Sequence, residues 1–487
     1  MGLNIPSIAK VMSFVAMLLG VAMIPSAVVS VIYGEYMTAL TFALIIVPLL
    51  AAGAFISSLI NVKVSKLKLR EGIFIVAASW IFASLLGCIP YLATDSIHGF
   101  VNAFFESVAG FTTTGATIIT DVESLSKGIL FWRSFSQWLG GMGILVFAIS
   151  ILPSLGISGQ YMAKAETPGI NLSKVVPRMS DSAKILYIIY TVFTLSAIIL
   201  LKFGGLSLFD SAIVSMGSVA SGGLSNYNAG IPHFKSVYVE FIAASFTILS
   251  CVNYTLYYSA IRRRFKEFFS NSELRVFLII LFGSGLLISA NLWWGGNYES
   301  VGESLRHGLF QSSSFMTTAG HYSANFDTWP TFSKMLLFML MIMGASSAST
   351  GGGIKVIRVI ILFKLIRRGI FMRLHPNAVM PVKIQDKTIA SAMVSGVVSF
   401  LSLYVVIFFI SMLILSLENF DFITTITAVA STLNNSGMGM ELIGPTGSYA
   451  IFPTFSKIYM SFLMLLGRLE LFTILLILTP SFWNPDR

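Results

Sequence analysis

Thr112-Thr113-Thr114-Gly115, Val219-Ala220-Ser221-Gly222, Thr317-Thr318-Ala319-Gly320 and Asn434-Asn435-Ser436-Gly437 interrupt an otherwise oily chain. Each follows a segment too short to cross a bilayer and lies between two segments long enough to do so. Backbone of this kind sits at membrane depth only where it is buried in protein or lines water. Four copies in one chain predict four re-entrant loops around one pore.

The rest of the composition agrees. Of 487 residues, 55% are hydrophobic and 11% charged, and the mean hydropathy is +0.84. Soluble domains carry about 25% charged residues, so the chain reads as an integral membrane protein. At roughly 20 residues per spanning helix, the apolar stretches give about ten helices. Cys88 and Cys251 fall in apolar segments with no metal or redox spacing and read as packing residues. Lys10 precedes the apolar run Val11 to Ile32, which is too long for a signal peptide and is followed at once by a second apolar segment. It reads as a retained span.

A formal charge of +10 does not indicate nucleic acid, because it is segregated. Lys63, Lys66, Lys68 and Arg70 follow the second span, and Lys164, Lys174, Arg178 and Lys184 the fourth. Arg262, Arg263, Arg264, Lys266 and Arg275 follow the sixth, and Lys355 to Lys387 adds further basic residues. By the positive-inside rule these connections are cytoplasmic, with both termini. The alternate connections carry Glu35, Asp95, Glu106, Asp121, Glu123, Asp210, Glu299, Glu303, Asp327, Glu418, Asp421 and Glu441. That acidic outer face raises the local cation concentration modestly.

These segments predict an all-α membrane protein with an N-terminal helix hairpin, 1–62, and four helix–pore loop–helix units. The units cover 71–155, 183–265, 273–372 and 388–487. Within them the spans fall near 71–93 and 129–152, 183–202 and 236–261, 273–294 and 332–368, and 389–417 and 455–479. Pro330-Thr331-Phe332-Ser333-Lys334 recurs as Pro453-Thr454-Phe455-Ser456-Lys457, and each is followed at the same distance by glycine, Gly344 or Gly467. Equal spacing at equal topological position reads as internal duplication, common among transport proteins.

A dehydrated cation needs several oxygen dipoles at close range, which backbone carbonyls supply where side chains are small and one residue tolerates unusual dihedrals. Each loop has that composition, and each short helix would aim the negative end of its dipole at the cation. No carboxylate falls within the four segments. One Thr-Thr-Thr-Gly alone would read as a helix cap; four at matching positions read as a filter. A second irregularity is Gly344-Ala345-Ser346-Ser347-Ala348-Ser349-Thr350-Gly351-Gly352-Gly353, before Ile354-Lys355. Poor helix formers near mid-span form either a close-packing interface or an unwound gate below the filter, and three successive glycines favour unwinding. Alignment on the shared pentapeptide puts Arg468 opposite Ala345. Arg468 and Glu470 within an apolar span cost about 2.5–3.5 kcal/mol each on insertion scales. They are either a structural ion pair or part of the control of ions beneath the filter. His98, His233, His307, His321 and His375 show no metal-ligand spacing, so an enzyme is not expected. His321 is either a pH-responsive group at the outer mouth or a packing residue.

These loops, with Gly140-Gly141-Met142-Gly143, Gly351-Gly352-Gly353-Ile354-Lys355 and Gly467-Arg468-Leu469-Glu470, carry a resemblance to the Trk-type potassium uptake proteins. The chain is similar over essentially its whole length to the TrkH/TrkG branch of the Trk/Ktr/HKT superfamily. The resemblance implies potassium (K+) as the transported ion with no covalently bound cofactor, and a bacterial or archaeal inner membrane. It also implies a homodimer with one pore per subunit, and cytosolic nucleotide-binding regulatory subunits docked on the basic inner face. Carried onto this chain, the filter carbonyls are those of Thr113, Thr114, Ala220, Ser221, Thr318, Ala319, Asn435 and Ser436, with Gly115, Gly222, Gly320 and Gly437. The gate residues are Gly344, Ser346, Ser347, Ser349, Thr350, Gly351, Gly352, Gly353, Lys355, Arg468 and Glu470. His321 and Met438 depart from the aromatic residue of a Thr-Val-Gly-Tyr-Gly filter. The alternative is an obligatory H+- or Na+-coupled symporter, with Glu470 and Asp210 as proton carriers. Serine in place of the first filter glycine accompanies sodium permeation in the superfamily. Gly115→Ser is therefore expected to lower the potassium-over-sodium permeability ratio read from reversal potentials; an unchanged ratio in folded protein would remove the first loop from the filter.

Overall fold

The computed structural model describes residues 3–60, 68–143, 179–378, 380–385 and 387–484. Lys63, Lys66, Lys164, Lys174 and Arg178, and the end of the predicted span 129–152, lie outside them. The structure is helical apart from a two-residue ribbon, Lys383–Ile384 against Lys387–Thr388. By length and composition, six described helices can cross a membrane, or eight if two bent pairs count as one span each.

Helices Ile5–Ile32 and Tyr36–Leu59 form an antiparallel hairpin. Pro25 sits inside the first without ending it. Glu35, in the turn between them, reaches the start of helix Lys127–Gly141, where its carboxylate accepts from Lys127 N–H at 2.6 Å and Gly128 N–H at 3.0 Å. An acid at a helix N-terminus satisfies open donors and meets the positive end of the dipole.

Beyond the hairpin the same arrangement recurs four times. Short helices Phe100–Phe111, Leu208–Val219, Val301–Met316 and Phe422–Leu433 are each followed by a turn and an inner helix. Those inner helices are Lys127–Gly141, Val237–Ser250, Thr331–Met343 and Thr454–Arg468. Each packs against the short helix of the next unit, and the last packs against Phe100–Phe111. The four units thereby close a ring.

Two of the inner spans depart from the continuous helices read in the sequence. The one predicted near 236–261 breaks after Ser250 and resumes as Tyr254–Ile261 at 89°, and the one predicted near 455–479 breaks after Arg468 and resumes as Phe472–Leu478 at 117°. In the third unit helix stops at Met343 and restarts at Val356. Glu470 and Leu471 take left-handed φ of 54° and 60°, which ends the fourth inner helix although neither residue signals a break by type. The irregular 344–353 stretch is therefore one break among three in the described residues.

An ion pair is buried in this apolar frame. Arg133 Nε donates to Glu106 Oε1 at 2.6 Å, with both side chains almost wholly buried. Glu106 also accepts from Thr117 Oγ1 and from Ile118 N–H at 3.0 Å, and Arg133 donates to Ser225 O of the second unit at 3.0 Å. Removing one partner of a buried pair leaves an uncompensated charge and costs about 3–5 kcal/mol. Arg133→Met is expected to melt well below the wild type in detergent and below the Arg133→Met/Glu106→Gln double variant. Equal melting of all three would show that the pair does not hold the ring.

Candidate functional site

Each short helix ends in the same backbone sequence. The helix caps Thr112, Ala220, Thr317 and Asn434 have φ between −74° and −95° with ψ near zero. The next residues, Thr113, Ser221, Thr318 and Asn435, are left-handed with φ of 57°, 51°, 56° and 54°. Two residues further on stand Gly115, Gly223, Gly320 and Gly437, with φ of 77°, 72°, 76° and 74°. Backbone whose dihedrals alternate in hand sorts its N–H groups from its carbonyls and concentrates like dipoles.

This register corrects the sequence matching in the second unit. There the glycine equivalent to Gly115 is Gly223, and Gly222 stands where the other units have Thr114, Ala319 and Ser436. The sequence offers a Gly222-Gly223 doublet, and only the helix end decides which glycine takes the left-handed position.

The four turns meet one another. A Cβ built on Gly115 would lie 1.9 Å from Gly222 O, one on Gly223 2.1 Å from Ala319 O, one on Gly320 2.8 Å from Ser436 O and one on Gly437 2.0 Å from Thr114 O. The carbonyls of the equivalent residues 114, 222, 319 and 436 thus each abut a neighbouring unit's glycine, in a closed cycle. Any side chain at these glycines would force the cycle apart.

A second cycle closes the outer rim. Asn228 Nδ2 donates to Asp121 at 2.8 Å, Tyr322 Oη to Asn228 O at 2.9 Å, Glu441 N–H to Asp327 at 3.1 Å and Tyr449 N–H to Thr117 O at 3.0 Å. Burial raises the Asp327 carboxyl above its ordinary value, opposed by the Glu441 N–H that it accepts. Asp210 holds Asn226 of its own descending segment at 2.6 Å. His321 is buried, with Nε2 3.2 Å from Ser218 Oγ of the second short helix, so it packs between units and does not line an open mouth. Met438 is likewise buried.

Beneath the turns lies the 344–353 stretch. Gly344 caps the preceding helix with φ 71°. The stretch fastens to the break of the second inner helix, where Ser346 N–H donates to Cys251 O and Thr350 N–H to Ser250 O, both at 3.3 Å. It also fastens to the turns themselves. Gly352 N–H donates to Thr318 Oγ1 at 2.6 Å and Gly353 N–H to Asn434 O at 3.1 Å. A Cβ on Gly352 would stand 2.0 Å from Asn434 O and one on Gly351 2.8 Å from Thr317 O, so the glycines let the stretch lie directly against the ends of the short helices. Ser349 Oγ donates back to Ser346 O at 2.6 Å, and Lys355 Nζ to Gly351 O. Glu273, which no sequence pattern marks, is buried and accepts from Ser347 N–H and Oγ, each at 2.7 Å.

Arg468 gathers three units at this level. It donates to Thr350 O at 3.1 Å, to Thr113 Oγ1 at 3.3 Å, to Gly141 O at 2.9 Å and to Gly140 O. Glu470 pairs with Arg358, not with Arg468. Among the described residues, the fourth turn and the loop both line a cavity of about 160 Å³, with Trp80, Tyr254, Tyr404, Asn435 and Arg468 in its wall. Among the described residues no group of three or more His, Cys, Asp or Glu side chains could hold a metal ion. The oxygens gathered at the turns belong to carbonyls and hydroxyls, donors suited to an alkali cation.

Comparison with known proteins identifies the family. A family model described as TrkH, cation transport protein, matches residues 41–484. The Trk system potassium uptake protein TrkH of Halomonas elongata is 34% identical over 99% of this chain and 100% of its own length. The Trk system potassium uptake protein TrkG of Escherichia coli is 32% identical over 97% of each. The crystal structure of the potassium transporter TrkH from Vibrio parahaemolyticus matches with a TM-score of 0.88 at 33% identity, covering 99% of this chain and 100% of that one. All three relatives are transporters by name, and none is an enzyme. The chain belongs to the TrkH family of cation transport proteins.

Proposed function

We propose that this chain takes up potassium through a gated filter of backbone carbonyls, opened and closed by the 344–353 loop. The observation that carries the reading is the closed cycle in which the carbonyls of residues 114, 222, 319 and 436 each meet a neighbouring glycine. Such a ring replaces the hydration shell of an alkali ion without a carboxylate. The loop and Arg468 lie across the inner side, where a fixed guanidinium repels a cation leaving the filter. Opening then consists of releasing the loop from Ser250, Cys251, Thr318 and Arg468. Glu470 is held by Arg358 and Asp210 by Asn226, so both carboxylates named as proton carriers have structural partners, which favours permeation over obligatory coupling.

The protein works, on this reading, in a bacterial or archaeal inner membrane as a homodimer with one pore per subunit and with cytosolic termini. Exposed Arg262, Arg263, Arg264 and Lys266 suit the docking of cytosolic nucleotide-binding subunits, which would pull on the loop through the helix Val356–Leu374.

Expression in a host lacking potassium uptake is expected to restore growth at limiting potassium, more strongly with a regulatory subunit present; failure with protein correctly inserted would overturn the reading. Arg468→Ala removes the donor shared by Thr350, Gly140 and Gly141. It is expected to raise potassium flux into proteoliposomes severalfold without a regulator. Loss of folded protein instead would make Arg468 a structural bolt and not a restraint on opening.

A further inference from the structure

The four turns are alike in backbone but not in what stands behind them. Gln137, on the inner helix of the first unit, is fully buried behind the turn of the second. Its Nε2 donates to Gly222 O at 2.6 Å, and its Oε1 accepts from Leu224 N–H at 3.3 Å. The amide therefore brackets Gly223, the left-handed residue of that turn. A Cβ on Gly222 would lie only 2.5–2.8 Å from the amide atoms.

Gln137 belongs to a stripe. Residues four apart share a helix face, and on this face Arg133 donates to Ser225 O at 3.0 Å while Gly141 lies against Ala220. One helix thus seats the second turn from Ala220 to Ser225. Counted from the helix start, the third and fourth inner helices place Met341 and Met464 where the first has Gln137. Neither methionine carries an amide to give a carbonyl.

A ring of carbonyls prefers a larger ion only as far as it resists drawing in around a smaller one. A carbonyl tied from behind by an N–H donor gives up that bond when it swings inward. We infer that Gln137 is a positioning residue for ion selection: its amide fixes the Gly222 carbonyl, one quarter of the ring, and limits how closely the ring contracts around sodium. This rests on the filter reading above.

Gln137→Met gives the first unit the residue found at that position in two others. Reversal potentials with potassium on one side and sodium on the other are expected to show a permeability ratio roughly threefold to tenfold below wild type, the factor set by one net hydrogen bond. Gln137→Leu carries the test if the methionine variant does not assemble. A wild-type ratio in a folded Gln137 variant, alongside a lowered ratio in Gly115→Ser, would overturn the role of Gln137 and leave the filter standing. Unchanged ratios in both would overturn the filter reading, and this inference with it.

Discussion

Backbone that leaves helical geometry inside a bilayer needs a partner for every polar group; here the turn N–H groups donate to their own short helices, as Gly115 does to Ala109 O and Ser436 to Ser431 O, and the turns then fit against one another across units. The carbonyl of one turn meets the glycine of another, a descending segment is tied to the next, and each inner helix props the short helix beyond it. No turn is stable by itself, since unsatisfied groups in hydrocarbon cost several kcal/mol each. Packed together, the turn residues Thr113, Ser221, Thr318 and Asn435 are buried. The hairpin, the Glu106–Arg133 pair and the Glu35 cap all act by keeping the members of this cycle in register.

Much of this was legible in the sequence because the membrane restricts what a chain can do. Small residues ending in glycine after a short apolar segment have few uses at membrane depth, so Thr113, Thr318 and Asn435 were recognisable before any geometry. The second unit was misread by one residue because Gly222 and Gly223 are equivalent in composition and differ only in dihedral angle. The breaks after Ser250 and Arg468 escaped notice for a related reason: Leu469, Glu470 and Leu471 are ordinary helix formers, and tertiary contacts overrule their preference. Gln137 and Glu273 gave no signal at all, because their partners lie far away in the chain.

The fourfold pattern is shared, while the inner face is specialised. Among the described residues three inner helices break; the third inserts a long stretch of small residues, and the fourth sets Arg468 against it. These two differences interlock, since Arg468 donates to Thr350. The ring is built alike in the four units, and what lies beneath it differs from unit to unit.

Closure of the ring also has a history within each molecule. The bonds that join the last unit to the first span most of the chain: Lys457 to Asn102 lies across 355 residues, Ser448 to Thr117 across 331 and Asn435 to Thr114 across 321. During synthesis none of them exists until the final unit has entered the bilayer. Up to that moment three turns face an open side, with backbone that lipid cannot satisfy. Such late, long-range contacts form slowly. A nascent chain therefore passes through a stage that needs shelter until the last helix arrives.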